Sequence, residues 1–165
     1  MQTRYLIALG SNVRHHRYGA PERVLRAAFD VLDDAKGLEL EARSPIGRSD
    51  PLGPSLRRYA NAAAIVRSTL APEDMLARLK AIEGAFGRRR AGRRWSARVL
   101  DLDIVLWSAG PWCSPGLTIP HPAFRARAFV LTPAATLAAA WRDPISGLTI
   151  HHLLARLTRP RPSPR

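Results

Sequence analysis

Lys plus Arg number 26 against 13 Asp plus Glu in 165 residues, a formal net charge of +13, and 46% of the chain is hydrophobic. That is enough for one domain with its own core, expected over residues 1–158, with a disordered Pro/Arg tail at 159–165. No unbroken apolar run reaches the roughly 18 residues of a membrane span. The start "MQTRYLIALGSN" lacks the layout of a signal peptide, and the lone Cys113 excludes an internal disulfide framework. A cytoplasmic monomer with no membrane partner is expected. The charge suits an anionic partner such as nucleic acid or a phosphate ligand; it equally suits arginine spent on solvated faces, since only Lys36 and Lys80 are lysines.

In chain order, "TRYLIALG" (3–10) is an apolar run stopped by Gly-Ser-Asn, a strand and turn. "APERVLRAAFDVLDDAKG" places Val24, Leu25, Ala28, Val31 and Leu32 at helical spacing, with Pro21 near its start and Gly37 after its end. "LELEARS" (38–44) alternates as a strand does, and "PIGRSDPLGPS" reads as a loop. "RYANAAAIVRST" holds a third strand. "APEDMLARLKAIEGAFG" is the clearest helix: Pro72 and two acids open it, and Met75, Leu79, Ile82 and Phe86 line one face. "VLDLDIVLW" is a fourth strand, followed by a Gly/Pro-rich connection and two helical pieces, near "FRARAFVLTPAATLA" and "LTIHHLLARL". Strand–helix–strand–strand–helix–strand is the split pattern of ferredoxin-like α+β folds, a βαββαβ core with an antiparallel sheet and helices packed on it.

The fourth strand carries the chemistry. Residues two apart on a strand share a face, so Asp101 and Asp103 project together beside Val99 and Val105, while Leu100, Leu102, Ile104 and Leu106 face the other way. Their Cα atoms should lie roughly 6.6 Å apart, at about 3.3 Å per residue. Two such carboxylates can share a hard cation such as magnesium, or they can mark the solvated face of an edge strand. Six arginines (Arg88, Arg89, Arg90, Arg93, Arg94 and Arg98) crowd the eleven residues 88–98 just before them. Carboxylates for metal and guanidinium groups for charge on a moving phosphoryl group are what phosphoryl transfer needs. Neither G-x-x-x-x-G-K-[ST] nor the glycine loop and H-R-D triplet of protein kinases is present.

Taken in order, "ALGSN", "PLG", "RYANAA", "LAPEDMLARLKAIEGAFGR", "RRWSARVLDLDIVLW", "LTIPHP" and "RARAFVLTP" resemble the 6-hydroxymethyl-7,8-dihydropterin pyrophosphokinase family of folate biosynthesis. The resemblance implies transfer of a pyrophosphoryl group from ATP to the pterin hydroxymethyl, on a ferredoxin-like domain with mobile loops over the site. It implies that Asp101 and Asp103 hold two magnesium ions on the ATP phosphates, and that Arg88 and Arg98 engage ATP during transfer. Glu83, Ile104, Thr118, His121 and Arg127 fall at nucleotide-side positions. Tyr59 and Phe129 match an aromatic pair that sandwiches the pterin, Asn61 its hydrogen-bonding partner, and Ser49, Pro51, Leu52 and Trp95 its lining. Read without the family, Tyr59 and Phe129 have an alternative as ordinary core aromatics, His121 as a turn residue, and Glu83 as a water-facing helix position.

The chain departs from the family pattern in the basic stretch "GPSLRRY", in "WSAR", at Pro122, where some relatives have an aromatic, and at Gly116, where many carry a basic residue and the loss of one ATP contact is expected. The implied partners are ATP and the pterin, with no nucleic acid expected. The rival is a small single-stranded nucleic-acid-binding protein that uses "GRRRAGRRWSAR" with Trp95 as a stacking aromatic. A two-metal nucleotidyl transferase would employ the aspartates but leave Tyr59, Asn61 and Phe129 without a role.

Overall fold

The computed structural model describes residues 1–50, 58–87 and 99–160. In chain order come β1 (Thr3–Ser11), α1 (Pro21–Asp34), β2 (Leu38–Arg43), β3 (Gly47–Ser49), β4 (Tyr59–Ser68), α2 (Pro72–Ala85) and β5 (Asp101–Trp107). They are followed by β6 (Trp112–Ser114), β7 (Leu117–Ile119), a 3₁₀ turn (Phe124–Ala126), α3 (Ala128–Ala138) and α4 (Ile150–Thr158). The fold is α+β. Both α1 and α2 begin on a proline, whose missing N–H costs nothing in the first turn, and Glu73 and Asp74 face the positive end of α2. The Thr149 side chain caps α4 by accepting the His152 N–H at 3.1 Å.

The main sheet runs β2-β4-β1-β5, with β3 also on β4, and every pairing is antiparallel. Alternation along β1 sorts its side chains onto two covered faces. Tyr5, Ile7 and Leu9 join Val24, Leu25 and Phe29 of α1 and Met75 and Leu79 of α2. Leu6 goes to the opposite face, with Ala63, Ile65, and Val130, Leu131 and Leu153 of α3 and α4. Beneath α3, Arg125 and Asp143 form a two-pronged ion pair at 2.6 and 2.7 Å, with the Asp143 side chain fully buried.

Three expectations need correction. "PIGRSDPLGPS" is not all loop: β3 lies in it, because β2 leaves β4 at Ala64 and the chain rejoins at Asn61, pairing backbone groups that would otherwise lack partners. The connection after β5 contains the β6–β7 hairpin, and Gly116 sits in its tight turn at φ +79. That position asks for a residue without Cβ, which accounts for glycine there without reference to a nucleotide. Last, Leu6 pairs with Leu106 but Ile7 with Ile104, so Val105 is a bulged extra residue. Leu106 therefore turns with Val105 toward α3 and α4, against the simple alternation, and Val99, outside the strand, packs with the other core. The expected tail at 159–165 lies outside the described residues from 161 onward.

Candidate active site

One row of residues crosses four strands. Gly47 of β3 pairs with Asn61 of β4, Asn61 with Gly10 of β1, and Gly10 with Asp101 of β5. Directly opposed residues share a face, so the Asn61 amide and the Asp101 carboxylate rise from one surface with Gly10 between them. Two strand spacings of about 4.8 Å separate their Cα atoms by roughly 10 Å. The next row holds Ala63, Ala8 and Asp103. Alanines and glycines on this face leave a shallow floor between an amide at one end and two carboxylates at the other.

At the carboxylate end, Asp101 and Asp103 are half-buried. Burial pushes the Asp103 carboxyl above the usual carboxylate range and the neighbouring Asp101 charge adds to the rise; His121, Lys80 and Arg127 pull it back. His121 is set by backbone: its N–H donates to the Val105 carbonyl at 3.0 Å, and its Nδ1 accepts the Ala123 N–H at 3.1 Å. With Nδ1 so occupied, Nε2 is the ring nitrogen turned to the site, 3.9 Å from Asp103 Oδ2 and too far for a hydrogen bond. Arg127 opens α3 with its guanidinium 5.7 Å above the Phe129 ring centre. Thr118 is exposed on β7.

This donor set fits magnesium. Among the described residues no group of three or more His, Cys, Asp or Glu gathers as a metal cage. Two hard carboxylates leave the rest of an octahedron to water and phosphate oxygens, which is how magnesium is commonly held. Burial lifts Asp103 most, and the repulsion from Asp101 that adds to it is what a divalent cation would relieve.

Behind the carboxylates lies Glu83. The simple expectation that it faces water is wrong: its side chain is 0% exposed and accepts the Leu102 N–H at 2.8 Å. Lys80 Nζ approaches the same carboxylate at 3.2 and 3.3 Å. Glu83 thus holds the backbone between Asp101 and Asp103. Ile104, expected on the nucleotide side, is buried in the core shared with α1 and α2, so any contact it makes with a ligand runs through its backbone.

At the amide end, a cavity of about 320 Å³ is lined by Ile46, Ser49, Asn61, Phe129, Thr132 and Pro133, among others. Asn61 is 6% exposed and donates through Nδ2 to Ser49 Oγ at 2.7 Å. That bond fixes the amide plane and leaves Oδ1 on the side of Gly10. Tyr59, two residues before Asn61 and paired with Ser49, shares their face. Ser49, Tyr59, Asn61, Phe129, Asp101, Asp103, His121 and Arg127 thus gather on one side of the sheet. Pro51, Leu52, Arg88, Trp95 and Arg98 lie outside the described residues. Sequence reasoning put Gly10 at the stop of the first strand, whereas it lies within β1, paired on both sides. It missed Lys80, whose signal was its i,i+3 spacing to Glu83.

The chain has relatives among known proteins. The family model of 7,8-dihydro-6-hydroxymethylpterin-pyrophosphokinase matches residues 6–139. Relatives named 2-amino-4-hydroxy-6-hydroxymethyldihydropteridine pyrophosphokinase include one from Pseudomonas aeruginosa, 42% identical over 94% of this chain and 92% of its own. One from Synechocystis is 37% identical over 92% of this chain and 75% of its own, and one from Methylorubrum extorquens 35% identical over 94% of each. None of these matches supports the nucleic-acid-binding reading. With its carboxylate pair, its locked amide and this match over most of its length, the chain belongs to the 7,8-dihydro-6-hydroxymethylpterin-pyrophosphokinase family.

Proposed function

We propose that this protein transfers a pyrophosphoryl group from ATP to the hydroxymethyl oxygen of 6-hydroxymethyl-7,8-dihydropterin, in folate biosynthesis. The observation that carries the site assignment is the shared row of Asn61, Gly10 and Asp101, with an amide and a metal-binding carboxylate roughly 10 Å apart, two strand spacings of about 4.8 Å. A pterin ring is flat, polar along one edge, and bears its hydroxymethyl at the far end. Asn61 reads the polar edge, Tyr59 and Phe129 grip the ring faces, and the hydroxymethyl extends toward Asp101 and Asp103. Those carboxylates would hold magnesium, two ions with ATP, which supplies neutralising charge along the phosphates.

The chain's own residues then position and neutralise. Arg127 and His121 face the phosphate end, and to Arg88 and Arg98 falls the neutralisation of charge on the group in transfer. The pterin oxygen bonds to the β-phosphorus as the bridge to the α-phosphate breaks; AMP leaves with that electron pair, and the hydroxyl loses its proton as the new bond forms. Such a reaction asks little covalent work of the protein, so alignment and charge dominate the rate. The strand order β2-β4-β1-β5 with α1 and α2 together on one face supports the ferredoxin-like arrangement, one domain over residues 1–158. Loops that close over the site, a monomer and a cytoplasmic location complete the proposal.

Calorimetry with a non-hydrolysable ATP analogue and magnesium, followed by the pterin, tests it. Pterin affinity should rise sharply once the nucleotide is bound, and the protein with ATP and pterin should release AMP. Salt-steep binding to single-stranded RNA without AMP release would overturn the proposal.

A further inference from the structure

We infer that Asp143 is a positioning residue for the nucleotide end of the site: through its two-pronged bond to Arg125 it aims the turn that carries His121 and Arg127. The inference rests on the nucleotide-side roles proposed above for those two residues. They flank the 3₁₀ turn Phe124–Ala126, and that segment is weakly closed from within. The Phe124 N–H reaches the His121 carbonyl at 3.2 Å, the Ala126 N–H the Ala123 carbonyl at 3.3 Å, and the Arg127 N–H the Phe124 carbonyl at 3.2 Å. Those lengths sit at the edge of the ordinary N–H···O range, as the strained geometry of a 3₁₀ turn leads one to expect. Two side chains tie the turn down from outside. Phe124 is 1% exposed and sinks into the core of α3 and α4, an apolar contact that holds the turn without setting its direction. Arg125 sets direction: its Nε and Nη2 donate to Asp143 Oδ2 and Oδ1 at 2.6 and 2.7 Å, and two parallel prongs fix the guanidinium plane.

The anchor itself cannot shift. Asp143 Oδ1 also accepts the Ile145 N–H at 3.1 Å, and Oδ2 accepts the Ser146 N–H at 3.3 Å and the Ser146 hydroxyl at 2.5 Å. Its own N–H donates to the Leu148 carbonyl, and its carbonyl accepts the Gly147 N–H. The local turn explains an acceptor at this position but not a charge, because an asparagine oxygen would serve the Ile145 and Ser146 N–H groups without burying a carboxylate. Asp143 is fully buried and is the one acidic residue between Ile104 and Arg165, so its charge answers Arg125. Stability does not demand that charge either, since a buried ion pair is often no better than apolar side chains of similar volume. What the ionic pair supplies and an apolar pair does not is a fixed bearing for the turn, two residues before Arg127 and four after His121.

Asp143→Asn would strand the Arg125 charge, so the clean test replaces both partners, Arg125→Met with Asp143→Leu. The expected melting temperature lies within about 5 °C of the parent. The Kd for a magnesium–ATP analogue should rise about tenfold, the worth of one misaligned charge-assisted hydrogen bond, while kcat at saturating ATP stays within about twofold. Arg125→Lys keeps the charge and one prong; its Kd should rise about threefold, and it carries the test if the double variant does not fold. In a His121→Ala/Arg127→Ala background the apolar pair should shift the Kd by less than about twofold, because the groups it aims are gone. Leu25→Ala, in the other core on α1, lowers stability and should leave nucleotide affinity alone. A double variant that binds the analogue within twofold of the parent, or an Arg125→Lys that does so where the double variant is unfolded, would overturn the inference. So would an equal loss of affinity in Leu25→Ala, since the pair would then act through stability alone. A parent that binds no magnesium–ATP analogue, or a His121→Ala/Arg127→Ala protein that binds it as the parent does, sinks the underlying nucleotide assignment instead, which keeps the two failures apart.

Discussion

Glu83→Ala separates a side chain that organises the carboxylates from one that merely fills space. In the folded chain Glu83 is fully buried, accepts the Leu102 N–H at 2.8 Å and pairs with Lys80 at 3.2 Å. Removing it leaves the Leu102 N–H in the core without this acceptor, a loss of about 1–3 kcal/mol. The cavity left by the deleted methylene and carboxylate adds to that, so a total of about 2–4 kcal/mol is expected. For a chain of this size each kcal/mol moves the melting temperature by about 2–4 °C, which predicts a fall of roughly 5–15 °C in calorimetry. Glu83→Gln keeps an oxygen for the Leu102 N–H and should lose less than half as much. Because Leu102 lies between Asp101 and Asp103, the alanine variant should also bind the magnesium–ATP analogue more weakly, while the glutamine variant stays close to the parent. A Glu83→Ala protein that melts and binds nucleotide as the parent does would refute the bracing role.

Asp103→Asn should abolish AMP release, and in metal-free buffer at neutral pH it should melt slightly above the parent. Its carboxyl is raised by burial and by Asp101, so the folded state favours the protonated form; stability is fullest below the unfolded pKa and falls as pH rises through the folded one. Asp143 has the opposite sign. Burial alone would raise it, but hydrogen bonds from Arg125, Ser146 and the Ile145 N–H hold it well below the usual carboxylate range. Its contribution is present above the unfolded pKa of about 3.9 and lost as acid titrates the folded group, so Asp143→Asn should cost about 3–5 kcal/mol at pH 7 and flatten the acid limb of a melting-versus-pH series. Ser49→Ala should raise the pterin KM by roughly threefold to tenfold with kcat little changed, the net worth of about one hydrogen bond, and Ser49→Thr should restore it. An unchanged KM for Ser49→Ala would mean that Asn61 needs no clamp.

The elements themselves were legible in the chain. Period-two and period-3.6 patterns placed β1, β2, β4, β5, α1 and α2, and the prolines at 21 and 72 marked the two helix starts, because local backbone chemistry determines those signals. The D-x-D spacing put Asp101 and Asp103 on one face for the same reason, and the ordered motifs announced the family. What the linear string could not carry was anything set by pairing between distant strands. The bulge at Val105 reverses the expected direction of Leu106, and it exists only as a mismatch between β5 and β1. Glu83 looked like a helix-surface acid because its partner, the Leu102 N–H, is 19 residues away and meets it only once α2 lies on β5. The row from Asn61 through Gly10 to Asp101 is likewise a product of register across three strands. Sequence determines which residue types are available and which way each alternates; only tertiary pairing decides which of them stand opposite one another, because hydrogen-bond register is a relation between strands and no single strand contains it.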